Sequence, residues 1–167
     1  LRQVGPLQWV HLPKRLVGVE ANPMSGLMDQ AAVKQHLSRV PLFSGLNPKL
    51  LHTLAVTAGD KSYNAGDVIV RQGEKAVGFY LVIEGKVDVE KSGKTVATLG
   101  PGQYFGEMAL LDEEPRTANV KAAARSRCLV VYPWEFWASV GKDPEALRSL
   151  LKESVRRLRG SAPAPED

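Results

Sequence analysis

The spacing of apolar positions along this chain changes twice. From Asp29, Val33, Leu37 and Val40 recur at helical intervals until Pro41 interrupts them, which predicts a first helix. A second is predicted from Asn47, with Pro48 at its first position, Leu50, Leu51 and Leu54 on one face and Gly59 as its stop. Between Asp60 and Tyr132 the rhythm shortens. "VIV", "FYLVIEG", "KVDVEK", "TVATLG", "ANVKA" and "CLVVY" are brief, rich in β-branched residues and divided by glycine-bearing turns such as "NAGD", "RQGEK", "KSGK" and "GPGQ". Val87 and Val89 alternate with Lys86, Asp88 and Glu90, the period of a strand with one face in a core. Many short strands with regular turns predict an all-β sandwich or barrel.

The helical period then returns. "PWEFWASVG" predicts a short helix whose Trp134 and Trp137, three residues apart, are expected in the core. A last helix is predicted from Asp143 as cap and Pro144 at the first position, with Leu147, Leu150, Leu151, Val155 and Leu158 on one stripe and Gly160 as its end. Before all this, residues 1–23 carry Pro6, Pro13 and Pro23 and keep neither period, so 1–28 is expected to be a connector or the remnant of an upstream domain. The first residue is Leu1 and not methionine, which a tag remnant or, as the favoured reading, the tail of an upstream domain would explain, and "SAPAPED", 161–167, is expected to be a polar tail.

Composition narrows the possibilities. The 167 residues are 44% hydrophobic and 24% charged, the balance of a soluble globular domain. No apolar run approaches the roughly 20 residues of a membrane-spanning helix. The single cysteine, Cys128, rules out an internal disulfide and, lying within "CLVVY", is expected to be a buried thiol. The formal net charge of +4 is mild, and part of it sits in "KESVRRLRG". Those cations are expected on a solvated helix end, complementing its dipole, with an anionic lipid or nucleic-acid surface as the other reading. No aromatics interleave with them, so no nucleic acid is expected to bind this chain. His11, His36 and His52 are scattered and meet no nucleophile motif, so no enzyme is expected.

The segment "FGEMALLDEEPRTANV", Phe105 to Val120, carries the candidate chemistry. A phosphate needs an arginine and backbone amides at the start of a helical turn. Gly106 permits close backbone approach, Ala109 leaves space above the turn, and Arg116 supplies the charge. Glu107 beside a bound anion would be repelled unless it accepted hydrogen bonds from neighbouring hydroxyls, as a ribose provides. Taken by itself the pair Glu107 and Arg116 could equally be a surface ion pair of under about 1 kcal/mol.

The segment resembles the phosphate-binding cassette of the cyclic nucleotide-binding domain family. The resemblance runs over 29–160: two helices, the roll with "YNAGDVIVRQGE" and "FYLVIEGKVDV", the cassette, and two closing helices. It implies a mainly β fold, a β-roll (a double-stranded β-helix, jelly-roll-like) flanked by N-terminal and C-terminal helices. It implies a ligand site at Phe105, Gly106, Glu107, Met108, Ala109, Arg116 and Thr117. In it Glu107 accepts the ribose 2′-hydroxyl, Arg116 pairs with the cyclic phosphate, and the Ala109 amide with the Gly106 backbone completes the cradle. Thr117 can reach a syn guanine, yet similar domains with threonine there also bind cyclic AMP, so cyclic AMP is the expected ligand with cyclic GMP accommodated. No metal or cofactor is implied. The partner implied is an attached effector, a membrane channel upstream of Leu1 being the first reading, which places the domain in the cytoplasm. The sensor domain of a catabolite-activator-type regulator is the alternative. The closing helix is implied as a lid, with Arg156 and Arg157 more simply solvated.

Overall fold

The computed structural model describes residues 28–112 and 114–161, with the side chains of Arg157 and Ser161 excepted. The predicted connector, apart from Met28, and the tail beyond Ser161 lie outside the described residues.

Helix α1, Gln30–Ser38, is capped by Asp29, whose carboxylate accepts from the Ala31 amide. A 3-10 turn, Pro41–Phe43, leads to α2, Pro48–Thr57, where Asn47 caps the Leu50 amide. Eight strands follow: β1 Gly59–Tyr63, β2 Val68–Val70, β3 Phe79–Glu84, β4 Val87–Lys91, β5 Lys94–Leu99, β6 Tyr104–Phe105, β7 Asn119–Ala122 and β8 Ser126–Val131. A one-turn helix α3, Met108–Leu111, interrupts them between β6 and β7, and α4, Pro133–Ser139, and α5, Pro144–Ser161, close the fold. The strands make two four-stranded antiparallel sheets in the orders β1-β8-β3-β6 and β2-β7-β4-β5. This is the expected mainly β jelly-roll with helices on either side.

The first sheet is covered on both faces, which explains why "FYLVI" and "CLVV" are continuous apolar runs. Successive side chains of a strand point to opposite faces. Phe79 and Leu81, with Leu129 and Val131, therefore enter a core shared with Leu37, Phe43, Leu54 and Phe136 of the helices. Tyr80 and Val82, with Cys128 and Val130, enter a second core between the sheets with Val87, Phe105 and Val120. Cys128 is fully buried there, and burial pushes its thiol up to about 12. The second sheet has only one covered face, so β4 buries Val87 alone and ends exposed at Lys91, and the edge strand β5 is almost wholly exposed.

Four features of the structure were not expected from the sequence. Strand β1, "GDKSY", shows no apolar alternation. Pairing with β8 organises it, and across that pair Arg127 grips Asp60 with two hydrogen bonds, Nε to Oδ1 at 2.8 Å. Trp134 and Trp137 are not core: they are 54% and 41% exposed, and the residue between them in the helix, Phe136, fills the core instead. Trp134 stacks on Tyr132, and the Trp137 indole donates to the Leu110 carbonyl at 2.6 Å. Helix α5 continues through Gly160 to Ser161, because Gly160 does not take the positive φ by which a glycine ends a helix. Its stripe is also only partly seated. Ala146 and Leu150 are buried, while Leu151, Val155 and Leu158 face outward. The seated end is fixed by close approach: any Cβ on Gly45 would collide with Ser149.

Candidate nucleotide pocket

Strand β6 delivers Phe105 into the inter-sheet core, where its ring stacks on Tyr80 with centroids 4.9 Å apart and planes 1° from parallel. The chain must then turn sharply into α3, and Gly106 does so at φ +78°, a conformation that a Cβ would strain. A side chain there would also strike the Arg116 guanidinium and the Gly78 carbonyl. Glycine at 106 thus shapes the turn and makes room for Arg116.

Arg116 is held at both ends. Its backbone amide donates to the Glu74 carbonyl at 2.9 Å and its carbonyl accepts from the Gly73 amide at 2.8 Å, which docks the cassette loop on the loop after β2. The Asn119 side chain reinforces this by accepting from the Gln72 amide at 2.8 Å. At the far end Nη2 donates to the Gly78 carbonyl at 2.6 Å, and the guanidinium carbon lies 5.7 Å from the centroid of the Tyr80 ring. The Nε hydrogen remains: Nε is buried and has no hydrogen-bond partner. Burial holds the guanidinium below its usual range, and the Tyr80 hydroxyl and Glu107 carboxylate act against that shift. Burial raises the Tyr80 phenol.

The pocket in front of Arg116 has a volume of about 170 Å³. Phe105, Gly106, Glu107, Met108, Ala109, Arg116 and Thr117 all line it, so the fold gathers the seven residues expected from the cassette into one wall. Val70, Val89 and Val120 of the second sheet make its apolar floor. Two details depart from the expected cradle. The Ala109 amide donates to the Gly106 carbonyl at 3.0 Å within its own turn, and Met108 is 53% exposed at the rim.

Tyr80 and Gly78 are site residues that the sequence pattern did not single out. Tyr80 is hidden within the run "GFYLVIEG", where it is one apolar residue among several. The signal available was its phase: Tyr80 and Val82 share the face opposite Phe79 and Leu81. Among the described residues no group of three or more His, Cys, Asp or Glu could hold a metal ion, and no helix is long and apolar enough to cross a membrane.

Comparison with known proteins agrees with this geometry. The chain is 36% identical over 128 residues, 77% of its length and 35% of the relative's, to a cyclic nucleotide-gated potassium channel of Mesorhizobium japonicum. It is 35% identical over 112 residues, 61% of its length and 28% of the relative's, to a cAMP-dependent protein kinase regulatory subunit of Blastocladiella emersonii. The chain spans about a third of the length of the channel relatives it matches. Among solved structures, the N-terminal domain of a transcriptional regulator from Streptomyces coelicolor superposes with a TM-score of 0.66 at 29% identity, over 75% of this chain and 92% of that one. The family profile described as "Cyclic nucleotide-binding domain" matches residues 60–140, which span the strands and the pocket wall. With that profile spanning the strands and the pocket wall, and with relatives named for cyclic nucleotides aligned over 77% and 61% of its length, this chain belongs to the cyclic nucleotide-binding domain family.

Proposed function

We propose that the chain binds one cyclic purine mononucleotide per domain, cyclic AMP as the main ligand with cyclic GMP accommodated, and passes that event to an attached effector. The observation that carries this reading is the buried, unpartnered Nε of Arg116 in the pocket wall. A buried donor without a partner is costly, and a phosphate oxygen satisfies it while neutralising the cation. Two relatives point the same way by name, one channel being cyclic nucleotide-gated and one kinase subunit cAMP-dependent. Calorimetric titration with cyclic AMP is expected to give one site per chain, and a flat titration with both cyclic nucleotides would sink the reading.

Glu107, at the entrance to α3, is the proposed acceptor for the ribose 2′-hydroxyl. Cyclic AMP is accordingly expected to bind more tightly than its 2′-deoxy analogue. Glu107→Gln should weaken binding less than Glu107→Ala, because the amide keeps an acceptor oxygen. Equal affinities for the two sugars would remove the assignment. Thr117, exposed at the pocket edge, is the proposed contact for a syn guanine.

The pocket's 170 Å³ is below the roughly 300–1,000 Å³ that encloses a whole small-molecule ligand, so it suits the ribose phosphate and leaves the base to be covered by another element. Helix α5 is the proposed cover. The bond from Trp137 to Leu110 links α3 to α4, so a shift of α3 reaches the closing helices directly. Amide exchange in α5 is expected to slow when cyclic AMP binds. Unchanged exchange there, at saturating ligand, would make the helix a static brace. The channel relative supports a cytoplasmic domain beneath a membrane effector. The near-complete coverage of the Streptomyces domain favours a transcriptional regulator as the second reading.

A further inference from the structure

Tyr80 is 4% exposed, and its ring is in contact with both halves of the cassette. It stands directly opposite Phe105 in the β3–β6 pair and stacks on that ring, which fixes the residue immediately before the Gly106 turn. The same ring carries the Arg116 guanidinium, whose carbon lies 5.7 Å from the ring centroid. One side chain thus sets the turn and the cation relative to each other.

Arg116 gains from this contact something that a polar partner would not supply. Its Nη2 donates to the Gly78 carbonyl at 2.6 Å, yet a planar cation held at one nitrogen can still pivot about it. A carboxylate in place of the ring would stop the pivot, but it would take up N–H donors and cancel the charge that a phosphate needs. An aromatic face attracts the cation through its quadrupole and consumes no donor. Nε accordingly stays buried and without a partner, in a residue that lines the pocket.

We propose that Tyr80 is a positioning residue for the phosphate, its ring holding the Arg116 guanidinium in place while the donors stay free for the ligand. The inference rests on the cyclic nucleotide reading and deepens it, because it gives a role in affinity to a side chain outside the pocket lining. The competing role is plain core filling, since Tyr80 also packs with Val82, Cys128 and Val130 between the sheets. The two differ in what they ask of the ring. Core filling needs its shape, whereas holding a cation needs its electron-rich face.

The test is calorimetric titration of the chain with cyclic AMP, with a thermal melt of each variant. Tyr80→Phe keeps the face and is expected to bind within about twofold of the parent, while Tyr80→Leu should bind roughly 3- to 30-fold more weakly. Mono-, tri- and pentafluorinated phenylalanine in place of Tyr80 keep the ring and progressively remove the negative charge of its face. Affinity is expected to fall stepwise along that series, and the series decides the matter even if Tyr80→Leu does not fold. Constant affinity across the fluorinated rings, or a loss in Tyr80→Phe as large as in Tyr80→Leu, makes Tyr80 a core residue and overturns the proposal alone. A parent chain that binds neither cyclic nucleotide, or an Arg116→Ala chain that binds as the parent does, overturns the nucleotide reading and the proposal together.

Discussion

Replacing Arg116 with alanine is expected to lower affinity for cyclic AMP by about 2–5 kcal/mol, a loss of roughly 30-fold to several thousandfold. The size follows from what is left behind. The phosphate would still be desolvated against the Gly106 turn, but without the cation that neutralises it. The protein itself should tolerate the change, because in the ligand-free fold the guanidinium donates to the Gly78 carbonyl and leaves Nε unsatisfied. Arg116→Lys should recover only part of the affinity, since an ammonium cannot present two parallel donors. Calorimetry with a matched thermal melt separates the two effects. Affinity within twofold of the parent protein would remove Arg116 from the phosphate role.

The largest effect on stability is expected at the Asp60–Arg127 pair. Both side chains are mostly buried, 12% and 14% exposed, and the pair ties the edge strand β1 to β8. Asp60 also accepts from the Met28 amide at 3.0 Å, which anchors the segment entering α1. Arg127→Ala leaves a mostly buried carboxylate without its cation and should cost about 2–4 kcal/mol at neutral pH by urea denaturation. The pH dependence has a definite sign. The hydrogen bonds from Arg127 hold the Asp60 carboxyl below its ordinary 3.8, so its contribution is complete above the unfolded value and is lost as pH falls through the lower folded one. The gap between parent and variant should therefore be full at pH 6–7 and narrow below about pH 4. A gap that stays constant down to pH 3 would mean that the cost comes from lost packing and not from the ion pair.

How much of this was legible beforehand depends on how local the cause is. Asp29, Asn47 and Asp143 begin helices because each carboxylate or amide reaches backbone donors two or three residues on, and such contacts are written in adjacent residues. The cassette was legible for the same reason: a positive-φ glycine, a carboxylate, a small residue and an arginine lie within one short segment. The tryptophans were not. A three-residue spacing says that two residues share a face, but not whether that face meets the core, and here Phe136 meets it.

The sequence by itself determined the two kinds of element, the order in which they follow, most of their boundaries and seven residues of the pocket wall, since these rest on period, caps and turn residues close along the chain. Only the tertiary structure decided what required distant segments to meet. It seats the Gly78 carbonyl and the Tyr80 ring against Arg116, spends the Ala109 amide within its own turn, sets Asp60 against Arg127, and leaves Leu151, Val155 and Leu158 of α5 facing outward. The physical reason is that burial and hydrogen-bond satisfaction are properties of the assembled neighbourhood. An apolar stripe looks the same in sequence whether a core or a ligand covers it.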